Sequence, residues 1–408
     1  MSYVNISKLK TILLAFSAAL IAVSMIILPE ESLDASVRGL NMWWGIVFPS
    51  LFPFFVVSEL LISFGVVRFM GVILEPLMRP LFRVPGVGGF AWAMGMATGF
   101  PAGAKITARL RQENQITKIE AERLVSFTNS SSPLFIFAAI SVGFFHNPRL
   151  GFLLAIAHYL GNFSVGLIMR FYGRKEKQSQ YRKSSKLINI REAFSQLHQT
   201  RLKNNRPIGK LLGDAVVSSI NTLLMIGGFI ILFSVLNKIL YHLEITPLLA
   251  AMIENILLLF NLPKEFGTPL IAGIFEITLG SQLTSKIQDS TILQQAIIVS
   301  FILGFNGFSV HAQAASILAE TDIKFKPFFF ARIMHGFLSG LFAFVLWQPF
   351  VRHFHIDSEP TAIPVTFLGT NEWWTGILQF LLKVGPILTI SSLILYLIIY
   401  KKRMDFIK

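Results

Sequence analysis

Eight stretches of this chain each run for about 20 residues or more with at most one charged side chain, the length that crosses the hydrocarbon core of a bilayer. They lie at 11–29, 44–65, 124–145, 150–169, 215–240, 296–318, 327–350 and 376–400. Lipid offers no hydrogen-bond partner to the backbone, so such runs fold as helices. Charged residues make up 14% of the chain, against about 25% in soluble domains. The sequence therefore predicts an all-α, polytopic integral membrane protein with about eight transmembrane helices.

Two further apolar stretches, at 86–108 and 267–285, contain turn-forming residues near their middle. If the stretch at 86–108 crossed the membrane completely, the basic segment at 170–210 would lie outside, whereas loops rich in Lys and Arg are normally cytoplasmic. We therefore expect two re-entrant hairpins, each of which enters and leaves the membrane on the same side.

The distribution of Lys and Arg predicts the orientation, because cytoplasmic loops retain these residues. Twelve of them lie within 170–210, which is predicted to be cytoplasmic. Eight crossings then place both chain ends in the cytoplasm and leave acidic loops outside. The run at 11–29 is longer than the apolar part of a usual signal peptide, and no small-residue cleavage site follows it. We expect it to be the first membrane helix.

The two halves of the chain repeat one order of features: a span, an amphipathic piece, a hairpin, a broken span and a span. A shift of 177 places His158 on His335 and Asn129 on Asn306, and a slightly larger shift places Gly99 on Gly280. Three crossings per repeat give opposite topologies, so an inverted repeat is predicted, a plan common in transporters. The predicted regions are an N-terminal helix and loop at 1–43, a first repeat at 44–171, a basic loop at 172–213, a second repeat at 214–350, and an outside loop with a final helix at 351–408.

Candidate substrate-binding residues lie where the helices break. A break inside the membrane persists only where its backbone is buried in protein or faces a wet cavity, and its free N–H and C=O groups attract polar ligands. Tight packing of small residues and hydroxyl bonds within a bent helix are the alternatives. The candidates are Thr98, Gly99, Pro101, Gly103, Asn129, Ser130, Ser131, Ser132, Glu276, Thr278, Gln282, Asn306 and Ser309.

Glu276 is the one carboxylate inside the second hairpin. An intramembrane acid suggests a coupling ion, a proton or a polar solute as its ligand. The alternative is an ion pair with Arg332 or Lys286. A second acid, Glu59, is expected to pair with a base such as Arg68.

Three membrane histidines, His158, His335 and His311, are candidates for proton or ion coupling because imidazole titrates near physiological pH. A histidine of this kind more often forms a hydrogen bond to a neighbouring helix. Both interpretations stay open at the level of the sequence.

Several classes of function are disfavoured. The chain has no Cys, which excludes disulfides, thiolate metal sites and cysteine nucleophiles. It also lacks the phosphate-loop, zinc-protease and serine-hydrolase motifs, so we expect no enzyme activity, no cofactor and no metal. The basic loop is expected to lie on anionic lipid. Nucleic acid is not an expected partner, because the few aromatic residues of this loop, such as Tyr181 and Phe194, form no repeating pattern with the basic ones. A homo-oligomer is left open.

Three motifs carry a family resemblance: "TGFPAGAK" at 98–105, "FTNSSSPLF" at 127–135 and "GFNGFSVHAQ" at 304–313. They resemble the nucleoside-recognition, or Gate, domain family, and the arrangement of hairpins and broken helices is similar to the core of concentrative nucleoside transporters. With "PSLFPFFVVSELL" at 49–61, nearly the whole chain resembles a family of integral membrane proteins of sporulation. The resemblance implies a role in spore formation, in particular in the spore cortex. It also implies a location in the mother-cell or forespore membrane, and it identifies no substrate.

The sequence thus favours a transporter-like protein that moves a small polar solute or precursor by alternating access. A non-transporting assembly or signalling factor on a transporter scaffold is the alternative. An intramembrane enzyme that uses Glu276 and a histidine is disfavoured, because the sequence shows no nucleophile constellation.

Overall fold

The computed structural model describes residues 3–174, 190–203 and 206–354, together with residues 383, 384 and 391. The predicted last span at 376–400, nearly all of the region 351–408, and residues 175–189 of the basic loop lie outside this description. Within the described ranges every regular element is a helix, which confirms the all-α class. The α-helices are α1 Tyr3–Ile27, α2 Pro29–Met42, α3 Phe48–Ser63, α4 Val66–Phe82, α5 Val87–Thr98, α6 Ala102–Gln112, α7 Lys118–Thr128, α8 Leu150–Met169, α9 Ile190–Lys203, α10 Ile208–His242, α11 Ile245–Leu259, α12 Gly267–Phe275, α13 Ile277–Ser285, α14 Ile292–Phe305, α15 Gly307–Leu318 and α16 Phe325–Phe354; two π-helical segments, Trp43–Val47 and Phe135–Phe144, and the 3₁₀ turn Lys264–Phe266 complete the set.

Four spans among the described residues are long and apolar enough to cross a membrane: α8, α10, the combined α14–α15 and α16. Two bent pairs, α1 with α2 and α3 with α4, pass the same test only when each pair is taken together, which raises the number to six. Large apolar side chains on these helices are exposed, for example Ile26 at 77% and Leu232 at 52%. Water would not favour such faces and lipid does, so the chain is an integral membrane protein.

The bend after α1 follows from a proline. Pro29 occupies the first turn of α2, and Leu28 before it has φ −117° and ψ 61°. The ring of a proline disfavours the helical conformation in the preceding residue, and a proline is well placed in the first turn of the next helix. The two axes therefore diverge by 102°, so that the helix at 11–29 is followed by α2 at a sharp angle.

The two hairpins are too short to span the membrane. Hairpin 1 consists of α5 and α6, with 12 and 11 residues, and hairpin 2 consists of α12 and α13, with nine residues each. At 1.5 Å per residue, the longest arm extends about 18 Å, whereas the hydrocarbon core is about 30 Å thick. The helix lengths therefore agree with re-entrant hairpins.

Both broken helices begin with the same local device. Thr117 and Glu120 form a capping box at the start of α7, and Thr291 and Gln294 form one at the start of α14. In each box the threonine accepts from the N3 backbone amide, and the N3 side chain accepts from the threonine amide. The predicted span at 124–145 is interrupted after α7, and the span at 296–318 is interrupted between α14 and α15.

The hairpins of the two repeats match at a different register from the one expected. The hydrogen-bonded pairs Asn129–Asn306 and His158–His335 are each separated by 177 residues. The same separation places Gly99 on Glu276, and these are the residues at which the two hairpins break. The expected pairing of Gly99 with Gly280 is wrong, because Gly280 lies inside α13. One shift therefore relates hairpins, breaks and spans.

Loop contacts support the predicted alternation of sides. Arg111 pairs with Asp322 at 2.8 Å, and both belong to loops predicted to be cytoplasmic. Glu31 is predicted to lie outside, and it is 3.8 Å from Lys238 and 3.7 Å from His242, which lie where the span at 215–240 ends and the next outside loop begins. Residues that the charge distribution assigns to one side thus meet in space.

The expected partner of Glu59 was wrong. Its carboxylate pairs with Lys105 at 3.1 Å and with Arg109, both on α6, and it accepts from Ser218 at 3.2 Å. Glu59 is on α3 and Arg68 is on α4, and the chain bends by 82° between these helices. Their separation of nine residues therefore does not place them on one helix face. Glu59 instead connects α3 with hairpin 1 and α10.

Candidate functional site

The tip of hairpin 1 is a glycine turn. Gly99 has φ +88° and ψ −172°, a combination that side chains rarely adopt. A Cβ at this position would also lie 3.1 Å from the Cβ of Ser132. Thr98 donates its hydroxyl to Met94 O at 2.7 Å. Backbone conformation and packing therefore both favour glycine at position 99, where the hairpin tip meets the first broken helix.

The first broken helix opens over residues 129–132. Ser132 ends the opening as a helix cap, since its hydroxyl accepts from the N–H of Phe135 at 3.2 Å. Pro133 follows at the first helical position, where the missing N–H costs nothing. The Ser-Pro pair thus explains why the helix restarts at this point.

Side chains from other helices satisfy the opened backbone. Ser131 donates its N–H to His158 Nε2 at 3.0 Å, and its carbonyl accepts from the hydroxyl of Tyr159 at 3.0 Å. The carbonyl of Asn129 accepts from Asn306 Nδ2 at 3.1 Å. In a membrane interior each such group would otherwise cost several kcal/mol. The break is therefore a built feature of the fold.

The second broken helix opens by a single residue. Asn306 is left-handed, with φ 76° and ψ 0°, and α15 begins directly after it. Its N–H still bonds the carbonyl of Ile302 at 3.0 Å. Asparagine tolerates this conformation better than most residues. The second break is thus a kink, whereas the first is a short extended segment.

The tip of hairpin 2 is formed by Glu276. Its carboxylate accepts from the N–H groups of Thr278 at 3.1 Å and Leu279 at 2.8 Å, so it caps α13. In the described part of the chain no ion pair joins it to a cation, and the predicted alternatives with Arg332 and Lys286 are absent. The helix amides and the helix dipole stabilise the negative charge instead.

A cavity of about 350 Å³ lies where both tips and both breaks converge. Apolar side chains from α3 and α10, such as Leu51, Ile226 and Ile230, also line it, as do Phe100 and Val310 from a hairpin and a broken helix. The cavity is thus largely apolar, and its few polar side chains come from the hairpins and the broken helices. The candidates that line it are Thr98, Gly99, Ser132, Glu276, Thr278 and Ser309, joined by Gln313.

The other candidates lie beside or behind this cavity. Asn129, Ser130, Ser131 and Asn306 are fully buried at 0% exposure and do not line it. Asn306 bonds the opened backbone through its side chain, whereas the side-chain amide of Asn129 and the hydroxyl of Ser131 have no hydrogen-bond partner among the described residues. Gln282 borders a narrow pocket of about 20 Å³ next to Glu276.

Two hairpin-1 candidates beyond the tip turn lie behind the cavity wall. Pro101 is buried and is preceded by a cis peptide bond. Gly103 faces the carbonyl of Thr128, and a Cβ would clash with that oxygen. Its position therefore matches the packing interpretation.

The paired histidines are neutral in this conformation. His335 Nδ1 lies 3.0 Å from a guanidinium nitrogen of Arg332, and arginine can only donate. His335 Nε2 therefore donates to the carbonyl of His158 at 2.8 Å. His158 Nε2 accepts from a backbone amide. Each ring accepts at one nitrogen, which favours helix-to-helix bonding over proton coupling for this pair.

His311 lies directly behind the second break. Its Nε2 is 2.7 Å from the carbonyl of Phe305, and the rings of Phe305, Phe325, Phe328 and Phe329 surround it. His311 therefore forms a hydrogen bond with the carbonyl of the last residue of α14. An ion-coupling role for His311 stays a prediction.

Sequence reasoning named Arg332 only as an alternative partner of Glu276 and missed its place at the first broken helix. It is fully buried and donates to the carbonyls of Ser126 and Asn129 on the first broken helix. The available signal was its place as the only charged residue in the apolar run at 327–350, since ionisable residues within spans are expensive and need partners.

Comparison with known proteins agrees with this architecture. The family described as nucleoside recognition, or Gate, matches residues 44–162 and 223–324. The sporulation integral membrane protein YlbJ of Bacillus subtilis is 54% identical over 404 residues, which cover 98% of each chain.

Two solved structures are more distant. The structure of CNTnw in an inward-facing substrate-bound state is 14% identical, with a TM-score of 0.45, and covers 83% of this chain and 87% of that one. A second CNTnw structure, in an outward-facing state, is 13% identical, with a TM-score of 0.41, and covers 85% and 86%.

Proposed function

Because this chain belongs to the family of the sporulation integral membrane protein YlbJ and contains its Gate domain, we propose that it moves a small polar solute across a spore-associated membrane. The solute binds in the central cavity, and one repeat moves against the other to expose it to alternate sides. We expect the spore cortex to depend on this step. The mother-cell or forespore membrane is the proposed location, with both chain ends in the cytoplasm.

One observation carries the proposal: a single cavity is lined by residues from both hairpin tips and both broken helices. A protein that acts only as a scaffold does not need two hairpin tips and two helix breaks around one cavity. Each opening exposes backbone groups that cost free energy in lipid. Their convergence on a cavity with hydroxyls and a carboxylate is the arrangement expected of a polar-solute site.

The cavity also limits the solute. A volume of about 350 Å³ lies at the small end of ligand pockets. Thr98, Ser132, Ser309 and Glu276 supply polar side chains to a lining that is otherwise mostly apolar. A compact solute with a few polar groups on an otherwise apolar surface fits this chemistry.

A ligand screen with matched variants tests the proposal. The purified protein is screened against small polar compounds by thermal shift, since a ligand that binds only the native state raises stability by RT ln(1+[L]/Kd). Thr278→Val removes a hydroxyl from the cavity wall. Thr284→Val removes one from the same helix, where Thr284 is buried and bonds to Gly280 O at 2.7 Å outside the cavity.

We expect Thr278→Val to weaken the response to a hit by roughly 5- to 150-fold in apparent affinity, which corresponds to about 1–3 kcal/mol for one lost polar contact. Thr284→Val is expected to leave that affinity unchanged. The hit is then tested for uptake into proteoliposomes. Equal responses in both variants, or binding without any uptake, would reject the transport proposal in favour of the non-transporting alternative.

A further inference from the structure

Arg332 is a buried cation held by backbone carbonyls. It has 0% exposure, and none of the salt bridges among the described residues includes it. One guanidinium nitrogen donates to Asn129 O at 2.6 Å and lies 3.0 Å from His335 Nδ1. The other donates to Ser126 O. The Nε of Arg332 has no hydrogen-bond partner among the described residues, so the charge is stabilised chiefly by the two carbonyls of the first broken helix.

The location of these carbonyls explains why a cation is stable there. Ser126 lies in the last turn of α7 and Asn129 directly follows this helix, where carbonyls lack helical partners and the helix dipole is negative. Charge-assisted hydrogen bonds to such carbonyls are stronger than neutral ones. The planar fork of arginine bonds the two oxygens from two separate nitrogens, whereas lysine would have to reach both from the single nitrogen of its ammonium.

The inverted repeat provides an internal comparison. The shift of 177 residues that relates Asn129 to Asn306 places Arg332 on Ala155, which has no donor. The break next to α16 spans four residues, 129–132, whereas its counterpart opens only at Asn306. The arginine is thus present at the wider opening, where more carbonyls lose their helical partners.

We propose that Arg332 is a positioning residue that holds the opened segment 129–132 so that Ser132 faces the solute cavity. Ser132 follows Asn129 by three residues in this segment, and it touches the tip of hairpin 1 at Gly99. Arg332 does not line the cavity. It acts through the backbone that it holds, and in this way couples α16 of the second repeat to the site in the first.

The test uses the absence of native cysteine in the chain. Cysteine is introduced singly at Ser132 or at Ser309, which both line the cavity, and its alkylation rate by a small methanethiosulfonate reagent is measured in membranes. Arg332→Lys keeps the charge and removes the fork. Arg352→Lys is the matched control, because Arg352 is an exposed residue of the same helix.

Ser132 is only 8% exposed in the held segment, so release of this segment by Arg332→Lys should make the position more accessible. We therefore expect the cysteine at position 132 to react roughly tenfold faster, the change that corresponds to about 1.4 kcal/mol. The cysteine at position 309 is expected to keep its rate, since no bond from Arg332 holds the second break. Arg352→Lys should change neither rate. Equal acceleration at both positions would indicate general loosening and would overturn the proposal, as would unchanged rates at both.

A second variant covers poor folding of the lysine protein. Arg332→Gln removes the buried charge and keeps an amide donor, and we expect the same selective acceleration at position 132. If neither variant accumulates while Arg352→Lys does, Arg332 is required for folding and the positioning role is rejected.

This proposal rests on the proposed function in one respect, since it takes the cavity to be the solute site. The labelling experiment itself requires no solute. Selective acceleration in a protein that binds and moves no solute would reject the proposed function alone. Uniform rates in a transporting protein would reject the positioning role alone.

Discussion

Glu276 shows how a single residue can serve structure and site together. Its carboxylate is 7% exposed, lines the cavity and caps α13 through two backbone amides. A carboxylate deep in a membrane costs about 2.5–3.5 kcal/mol even on insertion scales. The cap compensates part of this cost without neutralising the charge by a salt bridge in the described part of the chain. The charge therefore stays available to a solute or ion.

Glu276→Gln tests this dual role. One amide oxygen can still accept from the start of α13, so we expect a stability loss of about 1 kcal/mol, typical of a weakened cap. Protein abundance should remain near normal, while the response to ligand and spore heat resistance are lost. Thr291→Val is the matched control, because it removes the cap of α14 away from the cavity. Normal ligand binding in Glu276→Gln would exclude a site role.

At the scale of elements, the sequence predicted where helices break better than how the breaks are held. Gly99, Pro101 and Asn306 are local signals, since their backbone preferences oppose a continuous helix. The donors that satisfy the open backbone come from residues far along the chain, such as Arg332 and Tyr159. Only the tertiary packing brings them together. The register of the hairpins and the partners of Glu59 were missed for the same reason.

Glu59 connects hairpin 1 to α3 and α10, so loss of its charge should lower the stability of the protein. Its side chain is 11% exposed, and its partners Lys105 and Arg109 are 23% and 36% exposed. Glu59→Gln leaves two cations with a neutral partner, so we expect a loss of about 1–2 kcal/mol, reduced from a fully buried pair by partial exposure. Thermal unfolding of the purified protein measures it.

The control for Glu59 shares one of its partners. Glu113 pairs with the same Arg109 at 3.1 Å, but its side chain is 41% exposed. Glu113→Gln is expected to change stability by less than about 0.5 kcal/mol, because exposed ion pairs contribute little. Equal losses in the two variants would show that burial of Glu59 does not determine its contribution.

At the scale of the whole molecule, the predicted inverted repeat would place the two hairpins on opposite sides of the membrane. Hairpin 1 follows loops predicted to be cytoplasmic, and hairpin 2 follows a loop predicted to be outside. The two tips nevertheless line one cavity. Two hairpins that enter from opposite sides and meet near the middle offer the solute one access route from each side, which is the geometry that alternating access requires.

Site-specific labelling tests this arrangement directly. Ser195 on α9 and Glu265 beside hairpin 2 are both exposed, and the distribution of Lys and Arg places them on opposite sides. Each is changed to cysteine in the cysteine-free chain and treated with an impermeant maleimide on intact cells and on inverted vesicles. We expect position 265 to react on cells and position 195 to react only on inverted vesicles. The unsubstituted chain should not react in either preparation. The reverse pattern, with position 195 reactive on cells and position 265 only on inverted vesicles, would mean that hairpin 1 crosses the membrane completely. Labelling of both positions from one side would mean that the segment between them, which contains α10 and α11, does not make a single crossing. Either result would reject the arrangement with one access route from each side.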